Sequence, residues 1–182
     1  KSDEAKKETW NRFYYGKYEK AKEMDWRVNA GQFRLLAFHG DSTACGFDKP
    51  YFLSKEEFVV DGGLDESGQP NVTVVETEVK VSNVRISVNF DETVSGSYYD
   101  YFVRFARIDT SAVAGNAANK RFKQILRYKK DETRDAYMMP TDSLQIQFMA
   151  QHEYADDDSW KFITLDTIAV KGNDHLTVNL KV

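Results

Sequence analysis

Alternation is the feature that most restricts this chain. Leu144, Ile146, Phe148, Ala150, His152 and Tyr154 occupy every second position, which gathers them on one face of a pleated strand and scatters them around a helix. The same period returns in Val84, Ile86, Val88 and Phe90, in Tyr99, Tyr101, Val103 and Phe105, and in Leu176, Val178, Leu180 and Val182. Short alternating strands separated by turn signals specify an all-β sandwich rather than a parallel sheet wrapped by helices. No long helical pattern interrupts them.

The alternation also changes parity once. Val75, Val79 and Val81 share one register and Val84 to Phe90 the other, and such a shift needs a bulge or a passage between modules. We therefore place a boundary at Ser82-Asn83, giving two small antiparallel sandwiches over residues 9–82 and 83–182. Residues 1–8 are nearly all charged and are expected to form a solvated tether. In the first module we expect strands around Thr9 to Tyr15 and Asp25 to Val28, with a loop between them. Phe33 to His39 is apolar on both faces, as in the middle strand of a sandwich, and Gly40 and Pro50 end or bend the strands near them. Asp61 to Pro70 reads as a polar, glycine-dense loop. In the second module a loop over Thr110 to Asn119 precedes a strand over Phe122 to Tyr128. Trp160, Phe162, Thr164, Ile168 and Val170 start a closing hairpin that turns at Lys171 to Asp174.

The formal net charge is -4, which argues against a nucleic-acid partner. Cys45 stands alone, so no internal disulfide forms, and we expect it to be a small buried hydrophobe. No apolar run approaches the ~20 residues of a membrane-spanning helix. The chain begins at Lys1, and removal of a targeting segment is expected.

Few residues suggest chemistry. Glu153 with Asp156, Asp157 and Asp158 offers oxygen ligands for Ca²⁺, but without the alternation and glycine of a dedicated loop; a solvated acidic turn explains them as well. His39, His152 and His175 lack zinc-ligand spacing. Asp48, Glu56, Glu57, Asp91 and Glu92 offer many acids but no selected catalytic pair, and Ser95-Gly96-Ser97 has no nucleophile-elbow context. No cofactor is expected. Tyr98-Tyr99-Asp100-Tyr101-Phe102 is the densest aromatic cluster. Alternation sends Tyr98 and Phe102 to one face and Tyr99 and Tyr101 to the other. One face belongs to the core, and the other could be a platform, with Trp160, for a sugar ring or a peptide. An edge strand at Thr9 to Tyr15 would in turn permit strand exchange between subunits.

Ala30-Gly31, Ala37-x-His-Gly40-Asp41, Phe47-Asp-Lys-Pro-Tyr51, Phe58-x-Val60 and Asn83-Val84-x-Ile86, with Gly172-Asn-Asp174 near the end, resemble a family of uncharacterised secreted lipoproteins of Bacteroides-type gut bacteria. That family is similar to fimbrillin and fimbrial-anchor proteins. The resemblance implies two tandem transthyretin-like sandwiches, display on the outer-membrane surface or secretion, and membrane attachment only through a removed lipid anchor. It further implies a non-enzymatic fimbria-related subunit, anchor or adhesion module whose partners are other surface or fimbrial proteins. The alternative is a carbohydrate-binding module of a surface glycan-uptake system, using Tyr98, Phe102 and Trp160.

Overall fold

The computed structural model describes residues 14–108, 122–152 and 160–182. Along them run α1 (Tyr18–Ala21), β1 (Gly31–His39), β2 (Gly46–Phe47), β3 (Phe52–Val60), β4 (Lys80–Val81), β5 (Val84–Phe90) and α2 (Glu92–Ser97), followed by β6 (Asp100–Ile108), β7 (Phe122–Lys129), β8 (Ala136–Met138), β9 (Thr141–Gln151), β10 (Lys161–Val170) and β11 (His175–Leu180). The fold is all-β, and the two helices among the described residues are single turns or little more. The chain divides into two compact units, Lys1–Phe33 with Val59–Thr73, and Arg34–Phe58 with Val74–Val182.

In the first unit the segment expected as a loop contains α1, and Asp25 to Val28 is not a strand. Trp26 explains why the chain curls here: its indole N–H donates to the Ala21 carbonyl at 2.9 Å and its ring meets Tyr14 edge-on at 4.7 Å. The strand expected at Thr9 to Tyr15 lies largely outside the described residues. The polar loop after β3 is tied by Asp65, whose carboxylate accepts from Ser67 N, Ser67 Oγ and Gln69 N.

In the second unit two four-stranded sheets, ordered β10-β9-β6-β7 and β11-β5-β8-β2, enclose one apolar core. Val84, Ile86 and Val88 of β5 and Ala136 and Met138 of β8 meet Tyr101, Val103 and Phe105 of β6 and Leu144, Ile146, Phe148 and Ala150 of β9. Alternation accounts for this directly, because every second residue is buried from Tyr101 to Phe105 of β6 and from Leu144 to Ala150 of β9. Full burial of each large side chain contributes roughly 1.5–3 kcal/mol.

Three expectations are corrected here. Phe33 to His39 does not run through the middle of a sandwich. In the order β1-β3-β4 β1 lies at the end among the described residues, and Leu35, Leu36 and Phe38 remain 36%, 53% and 51% exposed. Apolar side chains on both faces thus do not guarantee cover on either. The β-branched stretch from Val72 forms strand only at β4 and β5. The parity change falls where the chain passes from the sheet of β4 to the sheet of β5. Finally, Lys171 to Asp174 is no hairpin turn, since β10 pairs with β9, while β11 runs parallel to β5. The turn carries the chain from one sheet to the other and docks on the earlier crossing. Asn173 N donates to the Asn83 carbonyl at 3.2 Å and Arg85 N to the Asp174 carbonyl at 2.9 Å. A β-carbon on Gly172 would lie 2.6 Å from the Ser82 carbonyl oxygen, too close for any residue but glycine.

The unexpected α2 also has a local cause. The Asp91 carboxylate caps it, accepting from Thr93 N at 3.0 Å and Thr93 Oγ1 at 2.7 Å, the usual way an exposed helix start is satisfied. Val94 then anchors it in the core with no exposed surface.

Candidate functional site

The outer face of the β10-β9-β6-β7 sheet is built by the residues that alternate with the core. Pairing aligns Phe162, Met149, Phe102 and Lys129 in one row across the four strands, and Thr164, Gln147, Arg104 and Arg127 in the next. Trp160 enters beside the first row, its ring centroid 5.2 Å from that of Phe102. Phe162, on the outermost strand, stays 61% exposed. The second row is a polar chain: Arg104 Nη1 donates to Gln147 Oε1 at 2.9 Å, and Gln147 Nε2 donates to Thr164 Oγ1 at 3.2 Å. Two guanidinium groups lie over aromatic rings, Arg104 at 4.5 Å from the Phe122 centroid and Arg127 at 5.7 Å from that of Phe102. Such cation–ring contacts hold a long side chain in place at an exposed site. Aromatic surface and planar hydrogen-bonding groups therefore stand side by side on a broad sheet face.

Of the three aromatic residues anticipated here, Phe102 and Trp160 come together and Tyr98 does not join them. Tyr98 precedes β6 and packs on the core, 5.5 Å from the Phe148 ring and 4.8 Å from His152. The bend at Tyr99 breaks the alternation that would have aligned Tyr98 with Phe102. Glu153, Asp156, Asp157 and Asp158 lie outside the described residues. Among the described residues no cluster of three His, Cys, Asp or Glu side chains could hold a metal. Arg104, Gln147 and Met149 complete the face without having been singled out in the sequence, together with Arg127 and with Phe162, which was anticipated only as a strand residue. Their signal was present as the second parity of the same alternating strands.

One other cluster contains the residue types of a hydrolase. On β5, Ser87 Oγ donates to Asp135 Oδ1 at 2.7 Å and lies 2.8 Å from His175 Nε2. Arg85 pairs with the other oxygen of Asp135, Nε to Oδ2 at 2.8 Å. Serine thus sits between the acid and the imidazole, whereas a catalytic triad needs the imidazole in the middle to take the serine proton. The hydrogen bond from Ser87 and the Arg85 charge hold the Asp135 carboxyl below its ordinary range, which makes it a weak base. Cys45 is half-buried, and burial pushes its thiol up, away from the reactive thiolate.

The Asp135 arrangement predicts a pH dependence. A carboxyl depressed in the folded state stabilises the fold at pH values above its unfolded value near 4, and that contribution is lost as pH falls through the lower folded value. Glu132, drawn down to about 2 by Arg134, acts on the same acid limb. Asp135→Asn is expected to lower stability at neutral pH by about 1 kcal/mol, a figure discounted for exposure, and to flatten the decline below pH 4. Thermal melts from pH 2 to 7 check both; an unchanged acid limb in the variant would show that Asp135 does not contribute.

A family model described as Domain of unknown function (DUF4493) matches residues 4–182. No curated protein and no solved structure matches the chain.

Proposed function

The chain belongs to the DUF4493 family, and we propose that it is a non-enzymatic recognition module that binds an extended glycan on the outer face of its four-stranded sheet. The observation that supports this most is the adjacency of the Phe102–Trp160 ring pair, 5.2 Å between centroids, and the hydrogen-bonding row of Arg104 and Gln147. A pyranose offers flat C–H faces for stacking and equatorial hydroxyls for planar amide and guanidinium groups, so it uses both rows at once. Phe162 and Phe102 are two strands apart in register, roughly 10 Å, which gives a linear chain more than one stacking position.

Binding of soluble polysaccharides by affinity electrophoresis and calorimetry tests the reading. Phe162→Ala removes an exposed ring without touching the core, and Phe102→Ala and Trp160→Ala remove the pair. Each is expected to weaken binding about tenfold, equivalent to roughly 1.4 kcal/mol, while far-ultraviolet circular dichroism stays native. Binding unaffected by all three would place the ligand elsewhere, and absence of binding to every polysaccharide would refute the glycan reading.

A second reading, the fimbria-related subunit or anchor, is favoured by β1. Leu36 and Phe38 share one face of it, 53% and 51% exposed, apolar surface beside a strand of the kind that strand addition between subunits covers. Both readings place the protein outside the cytoplasm. Mass spectrometry of sheared surface filaments and of membrane fractions from the producing cells separates them: recovery in filaments favours the subunit, and recovery only in membrane or soluble fractions excludes it.

A further inference from the structure

We propose that the glycan bound by this face is acidic, its carboxylate or sulfate groups held by Arg104, Arg127 and Lys129. The inference rests on the glycan reading above and adds the charge of the ligand.

The chain carries 29 acidic residues against 25 Lys and Arg, so its cations have no shortage of partners. Several cations of the same unit are neutralised. Arg34 and Lys55 share Glu57, Arg85 holds Asp135, Arg134 lies between Glu132 and Asp48, and Lys80 pairs with Glu78. The cations of the two outer-face rows stand outside these pairs. Arg104 spends one donor on the neutral Gln147 amide, and among the described residues no carboxylate lies within ion-pair distance of Arg104, Arg127 or Lys129. The paired rows that carry these cations contain no acid at all: Phe162, Met149 and Phe102 precede Lys129, and Thr164 and Gln147 precede Arg104 and Arg127. Among the described residues these two rows thus carry guanidinium groups, supported by rings at 4.5 and 5.7 Å, and no acid, the acid on this face of β6 being Asp100, beyond the first row opposite Gln151.

A guanidinium presents five N–H donors in a planar fork that matches a carboxylate or sulfate. Beside an aromatic stacking surface, that combination fits a sugar bearing an anionic substituent. Nucleic acid offers the same pairing of stackable rings and negative charge, but a formal net charge of -4 works against its long phosphate chain.

The test uses the full chain with polygalacturonate, alginate and hyaluronan, each beside its carboxyl-reduced form. A sulfated galactan beside its desulfated form, a neutral glucan and a single-stranded oligonucleotide complete the set. At least one acidic polymer is expected to bind about tenfold or more tightly than its neutralised form, with affinity falling as salt rises. The carboxyl and sulfate arms identify which anion is read. The double variant Arg127→Gln/Lys129→Gln, at two exposed positions, should lose that tenfold preference while its far-ultraviolet circular dichroism stays native. Equal binding of acidic and neutralised polymers, or a preference unchanged in the double variant, overturns the inference and leaves the glycan reading standing. Binding to no polysaccharide overturns both, and tighter binding of the oligonucleotide than of any glycan replaces both with nucleic-acid recognition.

Discussion

Phe105→Ala is expected to destabilise the protein by about 3–5 kcal/mol, the range for removing a large aromatic ring from a well-packed core. Phe105 has no exposed surface and lies on β6, which is bonded on both sides, to β9 and to β7. Its register partners Ile146 and Leu126 are themselves buried, so the strands on either side cannot close the gap without breaking their own ladders. For a chain of this size each kcal/mol lowers Tm by roughly 2–4 °C, and a fall of about 10 °C is expected in calorimetry. Phe105→Leu, which restores most of the volume, should recover more than half of it. A loss under about 1 kcal/mol for the alanine variant would mean that the two sheets do not pack as described.

Asn83→Ala is the second large effect, and its origin is polar. Asn83 is 3% exposed; its Nδ2 donates to the Lys49 carbonyl at 3.0 Å and its Oδ1 accepts from Tyr51 N at 3.2 Å. The side chain bonds this segment as a neighbouring strand's backbone would, at the place where the chain crosses between sheets. Alanine leaves a donor and an acceptor without partners, at about 1–3 kcal/mol each when buried, and we expect a total loss near 3 kcal/mol. Hydrogen exchange distinguishes this from general loosening: the Tyr51 amide should exchange much faster in the variant, while amides in the middle of β6 and β9 follow only the change in global stability. Protection of Tyr51 that stays at the native level would show that another group satisfies it.

How legible each part was follows from how local its cause is. Burial along β6 and β9 was readable because alternation is a property of the strand itself, and Tyr101, Val103, Leu144 and Ile146 had to share a face wherever the strand went. The parity change at Ser82-Asn83 was readable for the same reason. What it meant was not, because Asn83 acts on Lys49 and Tyr51, more than thirty positions away. The final turn was misread as a hairpin because Lys171 to Asp174 is a good turn in either setting. Only the docking of Gly172 and Asn173 on the first crossing decides that β11 joins β5.

The candidate site divides in the same way. Phe102 and Trp160 were found as aromatic residues in strand context, and Tyr98 was misassigned because a bend, invisible to alternation, separates it from β6. Arg104 and Gln147 were missed because nothing in their own surroundings distinguishes them from ordinary solvent-facing residues, and Arg127 stood out only for its charge among the basic residues around Tyr128. They become a site when three strands, distant in sequence, align them in one row.

By itself, then, the order of residues determined that this chain makes strands, which face of each is apolar, and where the pattern breaks. These are consequences of side-chain volume and the two-residue period of the extended backbone. The tertiary structure alone decided which strands are neighbours, that the last one lies parallel to β5, and that cations with no carboxylate partner among the described residues share a face with a tilted pair of aromatic rings. Those outcomes depend on hydrogen-bond pairing and packing between segments far apart in the chain, and no local pattern carries that information.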